Sequence, residues 1–124
     1  MGLDLTVCPV RYGGNRWWLG YTRIAFDRDY NLFGQIAKTA WTDFEPTLKP
    51  TPLSFNVSFD WYGDEGVEQI TEDAYGEPLT FVFAEEFRCI ETENPEFELS
   101  EWNKAVLLML RALPNKTPVV LYWS

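Results

Sequence analysis

The stretch Pro-Val-Val-Leu-Tyr-Trp at residues 118–123 decides the fold, because its apolar residues follow one another without alternation. Successive side chains of a strand point to opposite faces of the sheet, so Val119, Val120 and Leu121 place apolar groups on both faces. Both faces of such a strand must be covered, which is typical of the interior of a sheet. Only Pro118, which lacks a backbone N–H, departs from this pattern, and it occupies the first position of the strand.

Four further segments have the composition of strands. Residues 53–62 have the clearest pattern in the chain, because large apolar residues at odd positions alternate with other residues at even positions. Residues 3–8 and 17–26 flank a Gly-Gly-Asn turn, which favours a hairpin. Residues 79–83 follow residues 67–78, which are acidic and rich in turn-forming residues.

Helical periodicity is present in two longer segments and in one short one. Residues 28–39 follow Asp27, a good N-cap, and residues 100–113 begin at Ser100, a second N-cap. Residues 84–91 have the spacing of a short helix. The apolar stripe of the longest helix is predicted to consist of Trp102, Ala105, Val106, Met109 and Leu113.

No internal repeat and no long linker divides the chain, although residues 41–52 with their three prolines form an irregular connector. Residues 1–124 are therefore predicted to form a single α+β domain. Its sheet, of about five mostly antiparallel strands, carries two or three helices packed on one face. Aromatic residues make up 17% of the chain, and most of them, Trp102 and Trp123 included, are expected to lie in the core of this domain.

The chain contains no histidine. Its absence excludes Ser-His-Asp and Cys-His nucleophiles, histidine general bases and histidine-ligated zinc. Paired carboxylates have almost no specificity as a catalytic signal in a chain with 19 acidic residues. Cys8 and Cys89 lie in apolar stretches and are expected to be buried free thiols. We therefore predict a protein that is not an enzyme, with no catalytic residue, no cofactor and no metal site.

The net charge of −9 is concentrated in one segment. Residues 51–101 contain fourteen acidic residues and one basic residue, whereas residues 102–124 contain three basic residues and no acidic one. Such an acidic face either keeps an aromatic-rich protein in solution or docks on a basic surface of another macromolecule. A calcium site is disfavoured, since the acidic residues lack the alternation of an EF-hand. Direct binding to nucleic acid is not expected, because phosphates require a basic footprint.

The candidate partner-binding residues combine the first acidic cluster with aromatic side chains outside the predicted core. Aromatic side chains flanked by charge are typical of interface anchors. This set consists of Asp60, Asp64, Glu65, Glu68, Glu72, Asp73 and Tyr75, with Trp18 and Trp41 as further anchors. An alternative site for a small nucleotide would use arginine side chains to bind phosphate. It consists of Arg11, Arg16, Arg23 and Arg28.

The sequence favours a protein of the cytoplasm. Residues 1–5 lack the basic start and the long apolar run of a signal peptide. The longest strongly apolar run, residues 105–110, is far shorter than the roughly 20 residues that span a bilayer, so no membrane partner is expected. The sequence leaves the oligomeric state open, a homodimer included.

Three stretches resemble short uncharacterised accessory proteins that tailed phages and prophage regions encode. They are MGLDL at residues 1–5, DAYGEPLTFV at residues 73–82 and ALPNKTPVVLYW at residues 112–123. These motifs are structural, and no catalytic residue accompanies them. The resemblance implies a small acidic protein that binds and disables host machinery, such as a restriction or CRISPR effector, or that sequesters a defence signal.

The leading hypothesis is a non-enzymatic phage accessory protein of the anti-CRISPR or anti-restriction type. It would bind and inhibit a host defence or nucleic-acid-processing protein in the host cytoplasm. Its acidic surface would dock on a basic surface of that protein and mimic nucleic-acid phosphates. The alternatives are a sponge for a small nucleotide defence signal and a minor protein of the virion or its assembly.

Overall fold

The computed structural model describes residues 2–13, 16–19, 22–39, 45–53, 59–63, 66–93 and 96–124. The strands are β1 (Leu5–Gly13), β2 (Arg16–Leu19), β3 (Ile24–Ala25), β4 (Thr51–Pro52), β5 (Phe59–Gly63), β6 (Gly66–Ile70), β7 (Thr80–Phe83) and β8 (Pro118–Trp123). The helices are α1 (Tyr30–Ile36) and α2 (Glu101–Ala112), and a 3₁₀ helix (Ala84–Cys89) lies between β7 and α2.

Strand β8 lies inside the larger sheet, as its sequence predicts. It pairs with β1 on one side, where Leu121 is opposite Val7, and with β7 on the other side, where Leu121 is opposite Thr80. The strand order is β2–β1–β8–β7–β4, and β3 also pairs with β1. The pairings among the described strands are antiparallel, which confirms the predicted α+β fold.

The helices pack on one face of this sheet, again as predicted. Val119 and Leu121 of β8 belong to a core cluster that includes Phe33 of α1 and Leu110 of α2. Val120, between them, belongs to a smaller cluster on the opposite face. The three consecutive apolar residues thus serve both faces, as the alternation of a strand requires. The smaller cluster also contains Cys8, Val10 and Leu79.

Strands β5 and β6 form a second, two-stranded antiparallel sheet. β5 runs beside β2, and β6 leads through Thr71 into the turn that precedes β7. The sequence prediction of turn-rich structure at residues 67–78 is wrong for β6. Strand propensity is weak for acidic segments, but pairing with β5 supplies the backbone hydrogen bonds that stabilise an extended chain.

Helix α1 begins two residues later than the sequence indicates. Asp29, not Asp27, is the N-cap, and its side chain accepts a hydrogen bond from the Leu32 N–H at 3.0 Å. The helix ends at Ile36, short of the predicted residue 39. Both aspartates have the chemistry of a cap, and Asp27 is engaged by another element.

That element is the beginning of α2, where Ser100, Trp102 and Asn103 bind the chain at residues 25–27; we call these contacts the α2 clasp. The Asn103 side chain accepts from the Asp27 N–H at 2.7 Å and donates to the Asp27 carbonyl at 3.0 Å. The Ser100 hydroxyl donates to the Asp27 carboxylate at 2.9 Å and accepts from the Asn103 N–H as the predicted N-cap. The Trp102 indole N–H donates to the Ala25 carbonyl at 2.7 Å.

The clasp explains why the predicted apolar stripe of α2 is wrong by about one residue. Trp102 is 54% exposed, and its indole N–H reaches the carbonyl of Ala25 in β3. A helical period of 3.6 residues admits two neighbouring stripes in this sequence. The buried face consists of Asn103, Val106, Leu107 and Leu110, of which Asn103 is a buried polar residue that the hydrophobic pattern does not reveal.

Three smaller corrections concern strand limits and a thiol. Residues 17–26 do not form one strand, because β2 ends at Leu19 and β3 covers only Ile24–Ala25. The connector at residues 41–52 includes the short strand β4. Cys8 is buried as predicted, whereas Cys89 is exposed. Of the strand predicted at residues 53–62, residues 54–58 lie outside the described residues, and β5 covers the end of it.

We predict that Asn103→Ala destabilises the fold, because both backbone groups of Asp27 lose their partner. A partly buried donor and acceptor left unpaired cost about 1–3 kcal/mol in the free energy of unfolding. Asn31→Ala is the matched control, since Asn31 is an exposed helical asparagine, and it should change that free energy by about 0.5 kcal/mol or less. Urea unfolding measures both. Equal effects of the two substitutions would contradict a structural role for the clasp.

Candidate functional site

The turn at residues 73–77 is built around one aspartate. The Asp73 Oδ1 atom accepts hydrogen bonds from the Tyr75 N–H at 2.9 Å and the Glu77 N–H at 3.1 Å. Backbone bonds from the Asp73 N–H to the Glu77 carbonyl and from the Gly76 N–H to the Asp73 carbonyl close the same turn. Gly76 has φ +80°, a conformation that other residues rarely adopt, so a glycine is required there. The turn is therefore held in one conformation.

Tertiary contacts fix the position of this turn at the end of the sheet. The Ala74 N–H donates to the carbonyl of Trp123, the last residue of β8. The Tyr75 phenol donates to the Gly2 carbonyl at 3.0 Å, across 73 residues of sequence. Asp4 and Ser124 exchange two backbone hydrogen bonds, which hold residues 2–4 in reach of the phenol. Both the backbone and the ring of Tyr75 are thereby positioned, although the side chain stays 44% exposed.

An arginine–aspartate pair lies next to this tyrosine. The Arg28 guanidinium donates to Asp4 through two bonds, Nε to Oδ1 at 3.1 Å and Nη2 to Oδ2 at 2.8 Å. This bidentate contact lowers the pKa of Asp4, and it raises the pKa of Arg28, to which Tyr30 and Tyr75 add smaller contributions in the same direction. Both side chains are about half exposed, so water screens the pair.

Gly2 allows these groups to approach one another closely. A Cβ atom at this position would lie 2.7 Å from the Tyr30 hydroxyl and closer still to the Arg28 guanidinium. Any larger residue would push the arginine or the tyrosine aside. The close approach of backbone, guanidinium and phenol therefore depends on glycine at this position.

We use the name Tyr75 surface for the exposed face that these contacts produce; it consists of Asp4, Arg28, Tyr30, Glu72, Asp73, Tyr75 and Glu77. Glu72 and Glu77 are exposed and flank the tyrosine in sequence. Asp4 compensates the charge of Arg28, so the remaining carboxylates give the face a negative charge. Carboxylates accept hydrogen bonds from basic groups, and an exposed phenol ring binds a cation on its face. The surface is thus suited to a basic partner.

The structure brings part of the predicted partner-binding set together. Asp73 and Tyr75 share the turn, which Glu72 directly precedes, and Asp73 holds the tyrosine. Asp60 lies in β5 and Glu68 in β6, where Asp60 is opposite Gln69 and Glu68 is opposite Trp61, so the two acids are not cross-strand partners. Trp18 lies in β2, which runs beside β5. Asp64, Glu65 and Trp41 lie outside the described residues.

Of the four arginines of the alternative nucleotide site, Arg28 lies far along the sheet from Arg11 and Arg16, which occupy the paired strands β1 and β2. Arg28 is bound to Asp4 at the beginning of β1, whereas Arg11 lies toward the end of β1 and Arg16 begins β2. Seven residues of extended strand between Asp4 and Arg11 span about 23 Å, more than one small nucleotide. Arg23 is exposed, one residue before β3. Among the described side chains of this set, Arg28 reaches the Tyr75 surface.

Sequence reasoning missed Asp4, Tyr30 and Glu77 as members of the surface, and it missed Gly2 as the residue that lets them approach one another. Asp4 is an ordinary polar position of a predicted strand, Tyr30 lies within the helix predicted at residues 28–39, and Glu77 is one of fourteen acids in its segment. A signal for Tyr75 was present, because Asp-Ala-Tyr-Gly-Glu combines a turn-forming aspartate with a glycine around an aromatic residue. The partners of that tyrosine are distant in sequence, and no local pattern shows them.

Two further findings concern the described part of the chain. No group of three or more cysteine, aspartate or glutamate side chains there is arranged to hold a metal ion. No helix there is long and apolar enough to cross a membrane.

We compared the chain with known protein families, proteins and structures. No protein-family model, curated protein or solved structure matches the chain.

We predict that the stability supplied by the Asp4–Arg28 pair depends on pH. The pKa of Asp4 is lower in the folded chain than in the unfolded chain, so the pair stabilises the fold at neutral pH. That contribution is lost as the pH falls through the folded pKa, below the ordinary value of 3.8. A double-mutant cycle of Asp4→Asn and Arg28→Met, followed by urea unfolding, should give a coupling energy at about pH 7 that disappears near pH 2. Coupling that persists at the acidic pH would contradict the assignment.

Proposed function

We propose that this chain is a non-enzymatic binding protein that docks on a basic surface of another protein through the Tyr75 surface, which strands β5 and β6 adjoin in the chain. We further propose, from the phage resemblance, that the partner is a host defence or nucleic-acid-processing protein, such as a restriction or CRISPR effector. Docking would inhibit that partner by occupying the surface on which it binds nucleic acid.

The observation that carries this proposal is the fixed and exposed side chain of Tyr75. Its N–H is bound by Asp73, its phenol by Gly2, and the ring remains 44% exposed. A tyrosine inside a core would be covered, and one on an ordinary loop would have many conformations. Rigid aromatic side chains lose little conformational entropy on binding, and tyrosine is enriched among the residues that dominate interface energies.

The charge of the surrounding chain supports a basic partner. Residues 51–101 carry a net charge of −13, and Glu72 and Glu77 of that segment are exposed beside Tyr75. Two other acids of the segment already form contacts within the fold. Glu86 accepts a hydrogen bond from the Phe83 N–H, and Glu85 forms an ion pair with Lys116. The acids beside Tyr75 are therefore the better candidates for contact with another molecule.

The backbone connects the predicted acidic positions to the turn that carries Tyr75. β2 runs beside β5, β5 pairs with β6, and β6 leads through Thr71 into the turn that carries Tyr75. Positions Trp18, Asp60, Glu68 and Glu72 thus lie on consecutive, adjoining elements. The exposed carboxylates of Glu72 and Glu77 would steer a basic partner toward the tyrosine, and the ring would then stack on a cationic side chain of that partner.

The proposal predicts which substitutions abolish capture of the partner. Purified chain would be immobilised and exposed to lysate of a bacterial host at about 0.05 M and about 0.5 M salt, because screening weakens charge-steered binding. Glu72→Lys with Glu77→Lys, and separately Tyr75→Ala, should each reduce the captured amount by about tenfold or more at the lower salt concentration. Mass spectrometry would identify and quantify the captured protein.

The control applies the same change of charge at another place. Glu93→Lys with Glu98→Lys alters two exposed acids outside the Tyr75 surface, and capture should stay within about twofold of the unchanged protein. Equal losses in the two double variants would show that only net charge matters. Undiminished capture by Tyr75→Ala would contradict the proposed anchor. Binding of the captured partner to its nucleic acid, measured with and without the chain, would show whether the chain competes with the nucleic acid.

A further inference from the structure

Helix α2 carries a second apolar face, on the side away from the core. Ala105, Leu108 and Ala112 are exposed and have the spacing i, i+3 and i+7, which places them in one line along a helix. Leu108 is 70% exposed, the largest value among the exposed large hydrophobic residues described. Trp102 and Met109 border this line on one side, and Lys104 and Arg111 border it on the other.

The charge around this face distinguishes it from the rest of the molecule. The chain carries −9 in total, so two copies repel each other over most of their surfaces. Residues 102–124 contain three basic residues and no acidic one, and Glu101 is the one acid within α2. Two copies that approach through α2 therefore meet with less repulsion than at the acidic segment.

The face is also complementary to itself when two helices pack antiparallel. In that arrangement Ala105 lies against Leu108 of the second copy, so a small residue receives a large one. Trp102 lies against Met109 of the second copy on the apolar border. Glu101, which continues the line one turn before Ala105, lies against Arg111 of the second copy at the end of the contact. The midpoints of these three pairs fall within one residue of position 106, so a single two-fold axis satisfies all of them and forms each pair twice.

The side chains at the ends are placed for this contact. The Glu101 side chain is 94% exposed, and its present ion pair with Lys104 is long, at 3.4 Å. Arg111 is held at the basic border because its Nε and Nη2 atoms donate to the carbonyls of Phe87 and Ile90. The Trp102 ring is held by its hydrogen bond to Ala25. Association therefore requires little ordering of the groups that would meet.

We propose that α2 forms the interface of a homodimer in which the α2 helices of two copies pack antiparallel about a two-fold axis near residue 106. The helix has 12 residues and is about 18 Å long, so the interface is smaller than that of a permanent dimer. The dimer forms reversibly, at protein concentrations of about 10–100 μM. This inference does not rest on the proposed docking function, since the Tyr75 surface shares no residue with α2.

Sedimentation velocity from about 5 μM to about 500 μM tests the proposal. The unchanged chain should shift from monomer to dimer, and Leu108→Glu, which places a charge in the centre of the interface, should raise the dissociation constant by about 30-fold or more. Circular dichroism should show that this exposed substitution leaves the fold intact. Lys38→Glu is the matched control at an exposed position outside α2 and should dimerise like the unchanged chain. A monomer at all concentrations, or dimerisation unaffected by Leu108→Glu, would overturn the proposal.

Disulfide formation tests the antiparallel arrangement. In a chain with Cys89→Ser, which removes the exposed native thiol, Ala105→Cys and Leu108→Cys would be made separately. A mixture of the two variants should form a cross-linked dimer under mild oxidation, because these positions face each other. Each variant alone should form at least about fivefold less of it. Efficient cross-linking of each variant with itself and not in the mixed pair would indicate parallel helices and overturn the proposed axis.

Discussion

The hydrogen bonds of β8 to both of its neighbours are the constraint on which the rest of the structure depends. Pairing with β1 and β7 forms the centre of the sheet, and the alternation of Val119, Val120 and Leu121 supplies apolar groups to both faces. The end of the same strand also positions the candidate site, because the Trp123 carbonyl binds the Ala74 N–H and Ser124 binds Asp4. Strand β8 thus both supplies residues to the core and positions the turn that carries Tyr75.

The α2 clasp is the second constraint, and it shows how a polar residue can specify a fold. Asn103 offers a carbonyl and an amide in the geometry of a peptide group, so it pairs with both backbone groups of Asp27 from within the core. A buried polar group is costly unless it is satisfied, and this one is satisfied across 76 residues of sequence. The clasp sets the rotation of α2, which buries Leu110 and leaves Leu108 exposed.

The sequence predicts those features that depend on local chemistry. It does not predict features that depend on a contact with a residue far along the chain. The interior strand at residues 118–123 and the Ser100 cap follow from alternation and from a side chain that bonds its own helix, and both are confirmed. Asp27 and Asp29 are equally good caps in sequence, and the choice is made by Asn103, far along the chain. For the site, the turn around Tyr75 is readable from its residues, whereas its contact with Gly2 is not.

The Tyr75 surface combines a half-exposed phenol, held by hydrogen bonds, with the exposed carboxylates of Glu72 and Glu77, and this combination underlies the proposal of a basic partner. Hydrogen–deuterium exchange on the complex with the captured partner tests it most directly. The amides of residues 71–78 should exchange about tenfold or more slowly in the complex, while those of α2 should stay unchanged. Slower exchange confined to α2, with residues 71–78 unaffected, would contradict docking through the Tyr75 surface.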